Sequence, residues 1–288
     1  MASKEPEISV IIPSVDGVRD GNVARLIEQL KQQTVKEIEI ILVKNVRPNG
    51  KARNEGARKA NGKILVCIDD DVTLGHSKVI EHLAEIINSD DRIGLVGISK
   101  LIPENSNWFQ RKCAEELPRS TSPIYEQLTE GDLVDHMCLA IRKDLFFAIG
   151  MENENLIRGT DPDLRYRIRQ AGYRIAIAPN SWGYHPMPAT LSKLLKTFFR
   201  NGMGSAWVQR HYPELAFHDA EDHTTPFKAQ TSRGHRITNF LRIQLRSMVS
   251  ARFFYFAARL SYAIGLLYGT LSQKSGDAWF DRIQKEMP

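Results

Sequence analysis

The chain has 288 residues, of which 42% are hydrophobic and 25% charged, as in an ordinary globular protein. Its net charge of +5 is a small surplus, and basic residues are not interleaved with aromatics around a nucleic-acid motif, so we expect no nucleic-acid partner. Three scattered cysteines (Cys67, Cys113 and Cys138) exclude a disulfide framework and favour a reduced, cytoplasmic setting.

The first hundred residues alternate short apolar runs with amphipathic stretches. The start of the chain lacks the layout of a signal peptide, and the first apolar run stops at Pro13, so we expect no secretion through such a signal. Strands are predicted over residues 8–12, 38–43, 63–68 and 93–98, and helices over 22–33, 51–60 and 78–88. This alternation predicts an α/β fold with a mainly parallel sheet and helices on both faces. Ligands bind beyond the carboxyl ends of such strands.

The pattern changes after residue 100. Residues 103–132 contain three prolines and indicate an irregular surface excursion or a flexible lid. Later elements are predicted as a strand at 133–141, a helix at 160–171, a strand at 173–178, helix after residue 190 and helix over 237–272. We therefore expect three parts: a catalytic domain at 1–212, a polar loop at 213–236 and a basic, apolar helical region at 237–288.

Three consecutive carboxylates, Asp69, Asp70 and Asp71, directly follow the strand predicted at residues 63–68. Adjacent carboxylates repel one another unless they are solvated or face a cation. Their position at the ligand-binding edge favours a cation, and hard oxygen ligands suit Mg²⁺ or Mn²⁺ with substrate phosphates. The alternative is an exposed acidic turn.

A second acidic group opens the helix predicted at residues 160–171. Thr160 and Asp163 have the spacing of a capping box, and acidic residues are favoured in a first helical turn. Capping explains Asp161 less well, and a helix start at the sheet edge can aim that carboxylate into a cleft as a base. Helix capping and a catalytic base both remain possible roles for this acidic group at this point.

His185 lies just past the strand predicted at residues 173–178. A lone histidine is more often structural than a ligand. Here it shares the sheet edge with the aspartates, and a neutral imidazole can take a coordination position.

In this order the motifs resemble those of family 2 glycosyltransferases, which have the Rossmann-like GT-A fold, over roughly residues 7–212. The resemblance is carried by residues 8–13, 52–56, 61–71, 139–146, 159–167 and 171–175. It implies that Asp69 and Asp71 bind a divalent metal and the donor, with Asp71 as the direct ligand. His185 resembles a histidine that some members place near the metal.

The resemblance also implies donor-binding and catalytic residues. Pro13 and Arg53 sit where the family approaches the nucleotide, and Asp70 belongs to the donor-binding aspartate motif. Asp161 matches the proposed catalytic base. Two departures from the family pattern are Thr160, where a Glu usually precedes the base, and Lys44-Asn45, where an Asp usually reads the nucleobase.

The implied enzyme is an inverting, hexosyltransferase-type glycosyltransferase. It would use a UDP- or GDP-linked donor, a glycan or lipid-linked acceptor, and Mg²⁺ or Mn²⁺. Closure of residues 103–132 would desolvate Asp161 and raise its pKa. Two alternatives remain: a non-catalytic carbohydrate- or nucleotide-binding protein on the same fold, and a sugar nucleotidyltransferase, although no Gly-rich, Lys-containing phosphate loop is present.

The C-terminal region combines cations with aromatic and aliphatic residues. No acidic residue occurs between Arg233 and Gly276. The run at 253–271 is long enough for a membrane span, but Arg259 near its middle makes insertion costly. A helix in the interface of an anionic membrane satisfies both features, which predicts a peripheral location on the inner face. Packing onto the catalytic domain, or against a second copy in a homodimer, is the alternative.

Overall fold

The computed structural model describes residues 6–213 and 233–272. Two compact units are present. The first runs to Leu101 and resumes over Thr121–His185, and the second comprises Ile102–Ser120 and the chain from Pro186 onward. Of the expected polar loop, residues 214–232 lie outside the described residues, and the domain boundary expected at residue 212 stays a prediction.

The strands all belong to the first unit: β1 (Ile8–Ser14), β2 (Ile38–Lys44), β3 (Ile64–Ile68), β4 (Thr73–Leu74), β5 (Ile93–Leu101), β6 (Thr129–Glu130), β7 (Cys138–Arg142) and β8 (Arg174–Tyr184). The helices in chain order are α1 (Asn22–Lys31), α2 (Asn49–Lys59), α3 (Val79–Ser89), α4 (Trp108–Glu116), α5 (Lys143–Ala148), α6 (Thr160–Gln170), α7 (Leu191–His211), α8 (Arg233–Val249) and α9 (Phe253–Ser272). Helices α4, α7, α8 and α9 belong to the second unit.

The strands form one mixed sheet in the order β2-β1-β3-β7-β5-β8-β4, with β6 beside β8. The pairs β1–β2, β1–β3 and β5–β8 are parallel, as expected. Strand β7 instead runs antiparallel to both neighbours, β3 and β5. The excursion after β5 therefore begins and ends at the same edge of the sheet, so the residues just before β7 lie at the edge where β3 and β5 end.

Both faces of the sheet are buried, as near-continuous apolar strands predict. On β3, Ile64, Val66 and Ile68 join one core with α1 and α3, while Leu65 and Cys67 join the other with α2, α5 and α6. Cys67 is buried, and burial raises the pKa of its thiol to about 12, which makes the thiol unreactive.

Helix α2 approaches β1 closely. A Cβ added at Gly56 would lie 2.4 Å from Ile11 Cγ2, so only glycine allows this approach without a shift. The contact explains one residue of the motif at 52–56, and it fixes the helix that carries Arg53 against the sheet.

The sequence-based expectation was wrong for part of the excursion between β5 and β7. Residues 103–132 were expected to be irregular, but they contain helix α4, which begins with a capping box between Asn107 and Gln110. Cys113 and Leu117 then belong to the apolar core of the second unit. The sequence did not predict this short helix because prolines surround it and its apolar face is narrow.

The second unit is built around helices α7 and α9. A Cβ added at Gly202 would lie 2.0 Å from Tyr262 O, and one added at Gly265 would lie 2.0 Å from Phe199 O. The two backbones therefore touch at these glycines. The buried Glu116 of α4 accepts hydrogen bonds from the first N–H groups of α9, at 2.7 Å from Phe254 N, and so satisfies donors that a helix start leaves free.

Within residues 6–213 and 233–272, no helix has the length and apolar character that crossing a membrane requires.

Candidate active site

The three aspartates lie at the end of β3, as the sequence predicts, and each meets a cation. Arg19 Nη1 lies 3.2 Å from Asp70 Oδ1, and Arg19 Nη2 lies 2.9 Å from Asp71 Oδ2. Burial raises the pKa of Asp70, which is 5% exposed. The pairing with Arg19 and the burial contradict the alternative of an exposed acidic turn.

Arg53 on α2 supplies the second cation. Its Nη2 donates to Asp69 Oδ1 at 2.9 Å, while its Nε and Nη1 are buried and have no hydrogen-bond partner among the described residues. Burial opposes the charge of this guanidinium, but Asp69 and Glu152 outweigh burial and raise its pKa. Arg53 is therefore a permanent cation beside Asp69 at the end of β3.

The expected metal ligands are only partly brought together. His185 Nε2 lies 3.4 Å from Asp71 Oδ1, whereas Asp69 pairs with Arg53. In the part of the chain that the structure describes, no three histidine, cysteine, aspartate or glutamate side chains converge on one metal position. One carboxylate and one imidazole still fit Mg²⁺ or Mn²⁺ chemistry, because these ions commonly complete their shell with substrate phosphates and water.

Asp161, at the start of α6, belongs to a chain of hydrogen bonds. Its Oδ1 accepts from the backbone N–H of His136 at 2.8 Å and also contacts His136 Nδ1. On the other side of the ring, His136 Nε2 lies 2.5 Å from Glu152 Oε1. The Asp161 side chain is 35% exposed, His136 is 4% exposed and Glu152 is fully buried.

The charges of Asp161, His136 and Glu152 depend on one another. Burial and Arg53 disfavour a charged imidazole, but Glu152 and Asp161 outweigh both and raise the pKa of His136 to about 9. Burial disfavours the charged form of Asp161, but the His136 cation outweighs it and holds the pKa of Asp161 far below its usual range. Without an acceptor, the ion pair thus overrides desolvation at Asp161, and the raised pKa expected on closure of residues 103–132 over the acceptor stays a prediction.

Two further sets of contacts hold these hydrogen-bonded residues in place. Asn54, next to Arg53 on α2, donates to Glu152 O and accepts from Glu152 N, each at 2.9 Å. Arg165 on α6 forms a buried ion pair with Asp132 at 2.7 Å and also donates to Val134 O. The segment before β7 is thereby tied to α6, and the loop after α5 is tied to α2.

The start of α6 differs from the predicted capping box. The N-cap is Gly159, in the left-handed region with φ +81°, and no side-chain hydrogen bond caps the helix. Asp163 instead accepts from Arg167 at 2.7 Å and is 2% exposed. Glycine adopts this backbone conformation without strain, and the cap therefore lies one residue before the expected Thr160.

The aspartate cluster and the base candidate lie at one edge of the sheet. Asp69 N donates to Met137 O at 3.2 Å, which joins the end of β3 to the residue after His136. His185 N donates to Leu101 O at 2.9 Å, at the end of β5. Pro13 is buried near the end of β1, where its neighbour across the sheet is Val43, and its contact with a nucleotide stays a prediction.

Sequence reasoning missed Arg19, His136 and Glu152. Arg19 is a basic residue in a turn after β1, a setting that carries no signal by itself. His136 lies in the run 133–141, which was predicted as a strand, although the strand begins only at Cys138. The polar residues Asp132 and Asp135 within that stretch are the signal that it leaves the sheet.

The comparisons with known proteins agree with this geometry. The model of a glycosyltransferase-like family matches residues 9–187, more than half of the chain. The glycosyltransferase AglE of Haloferax volcanii is 27% identical over 174 residues, which cover 59% of this chain. That match spans 55% of AglE's own length, about half of the relative.

A solved structure shares the fold. The mannosyltransferase PcManGT from Pyrobaculum calidifontis, in complex with GDP-Man and Mn²⁺, aligns with a TM-score of 0.58 and 13% identity, over 95% of this chain and 89% of that chain. The mixed sheet with helices on both faces is thus a GT-A fold, followed by a helical C-terminal region. With the strand-end aspartates, the strand order and the family match all in agreement, this chain belongs to the glycosyltransferase-like family.

Proposed function

We propose that this protein is an inverting glycosyltransferase that moves a hexosyl group from a nucleoside-diphosphate donor to an acceptor hydroxyl. The observation that carries the proposal is the convergence of Asp71, Arg53 and Asp161 on one sheet edge, linked through the hydrogen bond from Asp69 to Met137. Donor-side cations and a base on the acceptor side are the two things that such a transfer needs.

On the donor side, we assign Arg53 to the diphosphate, because it is a permanent cation that pairs with Asp69 at the end of β3. We assign Asp71 and His185 to a divalent metal, whose role when bound is to neutralise the charge of the leaving diphosphate. Arg19 lies beside Asp70 and Asp71 in the exposed turn after β1, from which its guanidinium can also reach a phosphate.

On the acceptor side, we assign Asp161 as the base. The acceptor oxygen forms a bond to the anomeric carbon as the bond from that carbon to the diphosphate oxygen breaks, and the electron pair leaves with the nucleoside diphosphate. The hydroxyl proton passes to the Asp161 carboxylate. Since the pKa of Asp161 is low, positioning of the acceptor contributes more than basicity, and effective molarity can supply on the order of 7 kcal/mol.

The test is a panel of nucleotide sugars, beginning with GDP-mannose, which the PcManGT structure holds, and including UDP-linked hexoses. Ligands that bind the folded state raise the melting temperature, so the panel with and without Mn²⁺ identifies the donor. The identified donor is then incubated with candidate glycan and lipid-linked acceptors, and the product is analysed by NMR. We expect release of nucleoside diphosphate and an inverted anomeric configuration.

Each alternative has its own outcome. Release of pyrophosphate from a nucleoside triphosphate supplied with a sugar 1-phosphate would indicate a sugar nucleotidyltransferase. Donor binding without transfer or donor hydrolysis would indicate a non-catalytic binding protein. A retained anomeric configuration would contradict the role of Asp161 as the base of a single displacement.

We further propose that helices α8 and α9 rest on an anionic membrane. On α8 the exposed side chains Ile237, Leu241, Leu245 and Met248 are each at least 57% exposed and follow helical spacing. A second stripe on α9 consists of Leu260, Ile264, Leu267 and Leu271. Exposed apolar stripes of this size mark an interaction surface.

The positive charge near this surface favours an anionic membrane as its partner. Arg242 and Arg246 are exposed on α8, and no acidic residue occurs between Arg233 and Gly276. A second copy of the chain would bring the same cations face to face, whereas anionic headgroups complement them. The membrane is thus the better partner, and a peripheral position at the cytoplasmic face remains our prediction for location.

Vesicle flotation tests this surface. We expect the protein to float with anionic vesicles containing phosphatidylglycerol, to float less as salt rises, and to stay unbound with neutral phosphatidylcholine vesicles. Point variants are preferable to truncation, because Ile243, Tyr255 and Ala258 belong to the core of the second unit. Leu241→Glu with Leu245→Glu should abolish flotation at an unchanged melting temperature. A protein that never floats but dimerises through the same leucines would overturn the proposal.

A further inference from the structure

We propose that His136, held between Asp161 and Glu152, is the positioning residue of the base, so that the three side chains act as one unit. The inference rests on the proposed function, because it concerns the residue assigned as the base. It goes further by assigning roles to two buried residues that touch neither donor nor acceptor.

The geometry requires donation from both ring nitrogens. His136 Nδ1 contacts Asp161 Oδ1, and Nε2 lies 2.5 Å from Glu152 Oε1. An ionised carboxylate only accepts, and a neutral imidazole has a single N–H, so with both carboxylates ionised only the imidazolium satisfies both partners. Two charge-assisted hydrogen bonds then fix the ring, and the backbone N–H of His136 adds a second contact to Asp161 at 2.8 Å.

The surroundings determine the charge of the ring. Two carboxylates contact it directly, from α6 and from the loop after α5, and Asp69 adds a favourable charge from the end of β3. Arg53 on α2 opposes the positive ring. Since the two contacting carboxylates outweigh Arg53 and burial, the pKa of His136 is about 9, and the ring is a cation at neutral pH.

Glu152 completes the arrangement from the buried side. Its side chain is fully buried, and its backbone is held by two hydrogen bonds to Asn54. This rigid anchor orients the ring, and the ring in turn orients Asp161, whose side chain is 35% exposed toward the site. Of these three side chains, only Asp161 is therefore left to contact the substrate.

The consequence for catalysis is a defined protonation state. The cation keeps Asp161 ionised and turned through Oδ1 toward the ring, which leaves Oδ2 for the acceptor hydroxyl. When the ring loses its proton at high pH, one of the two carboxylates loses its donor. Transfer should then fall with an apparent pKa near 9, while donor binding is unaffected.

The test compares Glu152→Gln, His136→Asn and His136→Ala in the full-length protein. Nitrogen-15 NMR of the imidazole should show both ring nitrogens of His136 protonated at pH 7. In Glu152→Gln the ring should titrate at least one pH unit lower, and the high-pH decline of kcat should move with it. His136→Asn keeps an amide donor near the position of Nδ1, so it should retain at least tenfold more kcat than His136→Ala, at unchanged donor affinity.

The possible results separate this inference from the proposed function. A neutral His136 at pH 7, or a Glu152→Gln variant with an unmoved titration and pH profile, would overturn the positioning role. The NMR measurement needs no turnover, so it remains decisive if the donor assignment fails. Absence of transfer from every nucleotide sugar, with His136 protonated as described, would overturn the function and leave the positioning geometry intact.

Discussion

Arg19 Nη2 lies 2.9 Å from Asp71 Oδ2, so the carboxylate assigned to the metal is paired with a guanidinium in the protein alone. Arg19 Nη1 also reaches Asp70 at 3.2 Å. The Arg19 side chain is 41% exposed, so the pair is partly screened and can be rearranged at small cost. A metal bound at Asp71 must share or displace this partner.

Replacing this guanidinium should therefore favour the metal. We expect Arg19→Gln to bind Mn²⁺ more tightly in the absence of nucleotide, by up to about fivefold, as the loss of an exposed ion pair worth up to about 1 kcal/mol implies. Calorimetric titration with Mn²⁺ measures the effect. Lys59→Gln, which removes an exposed pair with Glu55 on α2, is the matched control and should leave Mn²⁺ affinity unchanged. Weaker Mn²⁺ binding in Arg19→Gln would show that the pair does not compete with the metal.

Removing the Asp71 carboxylate should weaken metal-dependent nucleotide binding without unfolding the protein. We expect Asp71→Ala to lose the Mn²⁺-dependent part of UDP or GDP affinity, because Asp71 supplies the carboxylate of the metal site, and to keep its melting temperature within a few degrees. Calorimetry with and without Mn²⁺ gives the affinity. Asp91→Ala removes a fully exposed carboxylate and serves as the control. If Asp71→Ala binds nucleotide as the unmodified chain does, the metal lies elsewhere.

The buried His136 should make stability depend on pH. Its pKa is raised from about 6.5 in an unfolded chain to about 9, so its contribution is complete below pH 6.5 and is lost as pH rises through 9. Denaturant unfolding of the unmodified protein and His136→Asn gives the difference at each pH. We expect the advantage of the unmodified protein to shrink by up to roughly 3 kcal/mol between pH 6 and pH 10. A constant difference over that range would mean that the ring is already neutral at pH 6.

The crossing of α7 and α9 should be intolerant of a single methyl group. A Cβ at Gly265 would lie 2.0 Å from Phe199 O, so Gly265→Ala must force the two backbones apart. We expect a loss of about 1–3 kcal/mol in the free energy of unfolding, the usual range for overpacking. A Cβ added at Gly234 on α8 meets nothing within 4 Å among the described residues, so Gly234→Ala should be neutral or slightly stabilising, since alanine favours helix. Equal stabilities of the two variants would contradict this packing.

The sequence was sufficient where a local pattern determines the structure. Near-continuous apolar runs along β1 and β3 predict strands buried on both faces. Asp69 to Asp71 follow β3 directly, so the fold and the strand-end position of the acidic cluster could both be predicted. The reversed direction of β7 could not, because pairing direction depends on where the chain re-enters the sheet, which no local periodicity records.

The charge states of Asp161 and His136 also could not be predicted from the sequence. Asp161 could be predicted as a base candidate, but its pKa depends on His136, which is 25 residues away in the chain. Glu152 lies between them in sequence and meets the other side of the same ring. Such pairings arise from the packing of α6 against the loops, so only the three-dimensional arrangement shows that the His136 cation lowers the pKa of Asp161.

The role of Asp161 is the central claim, and Asp161→Asn tests it most directly because the amide keeps the shape of the side chain and removes its charge. We predict donor affinity within about twofold of the unmodified protein in calorimetry, and a transfer rate lower by about a hundredfold or more, the usual scale of general-base catalysis. Measurement of single-turnover transfer with saturating donor isolates the chemical step. Transfer within a few-fold of the unmodified rate would contradict the assignment and place the base on another residue.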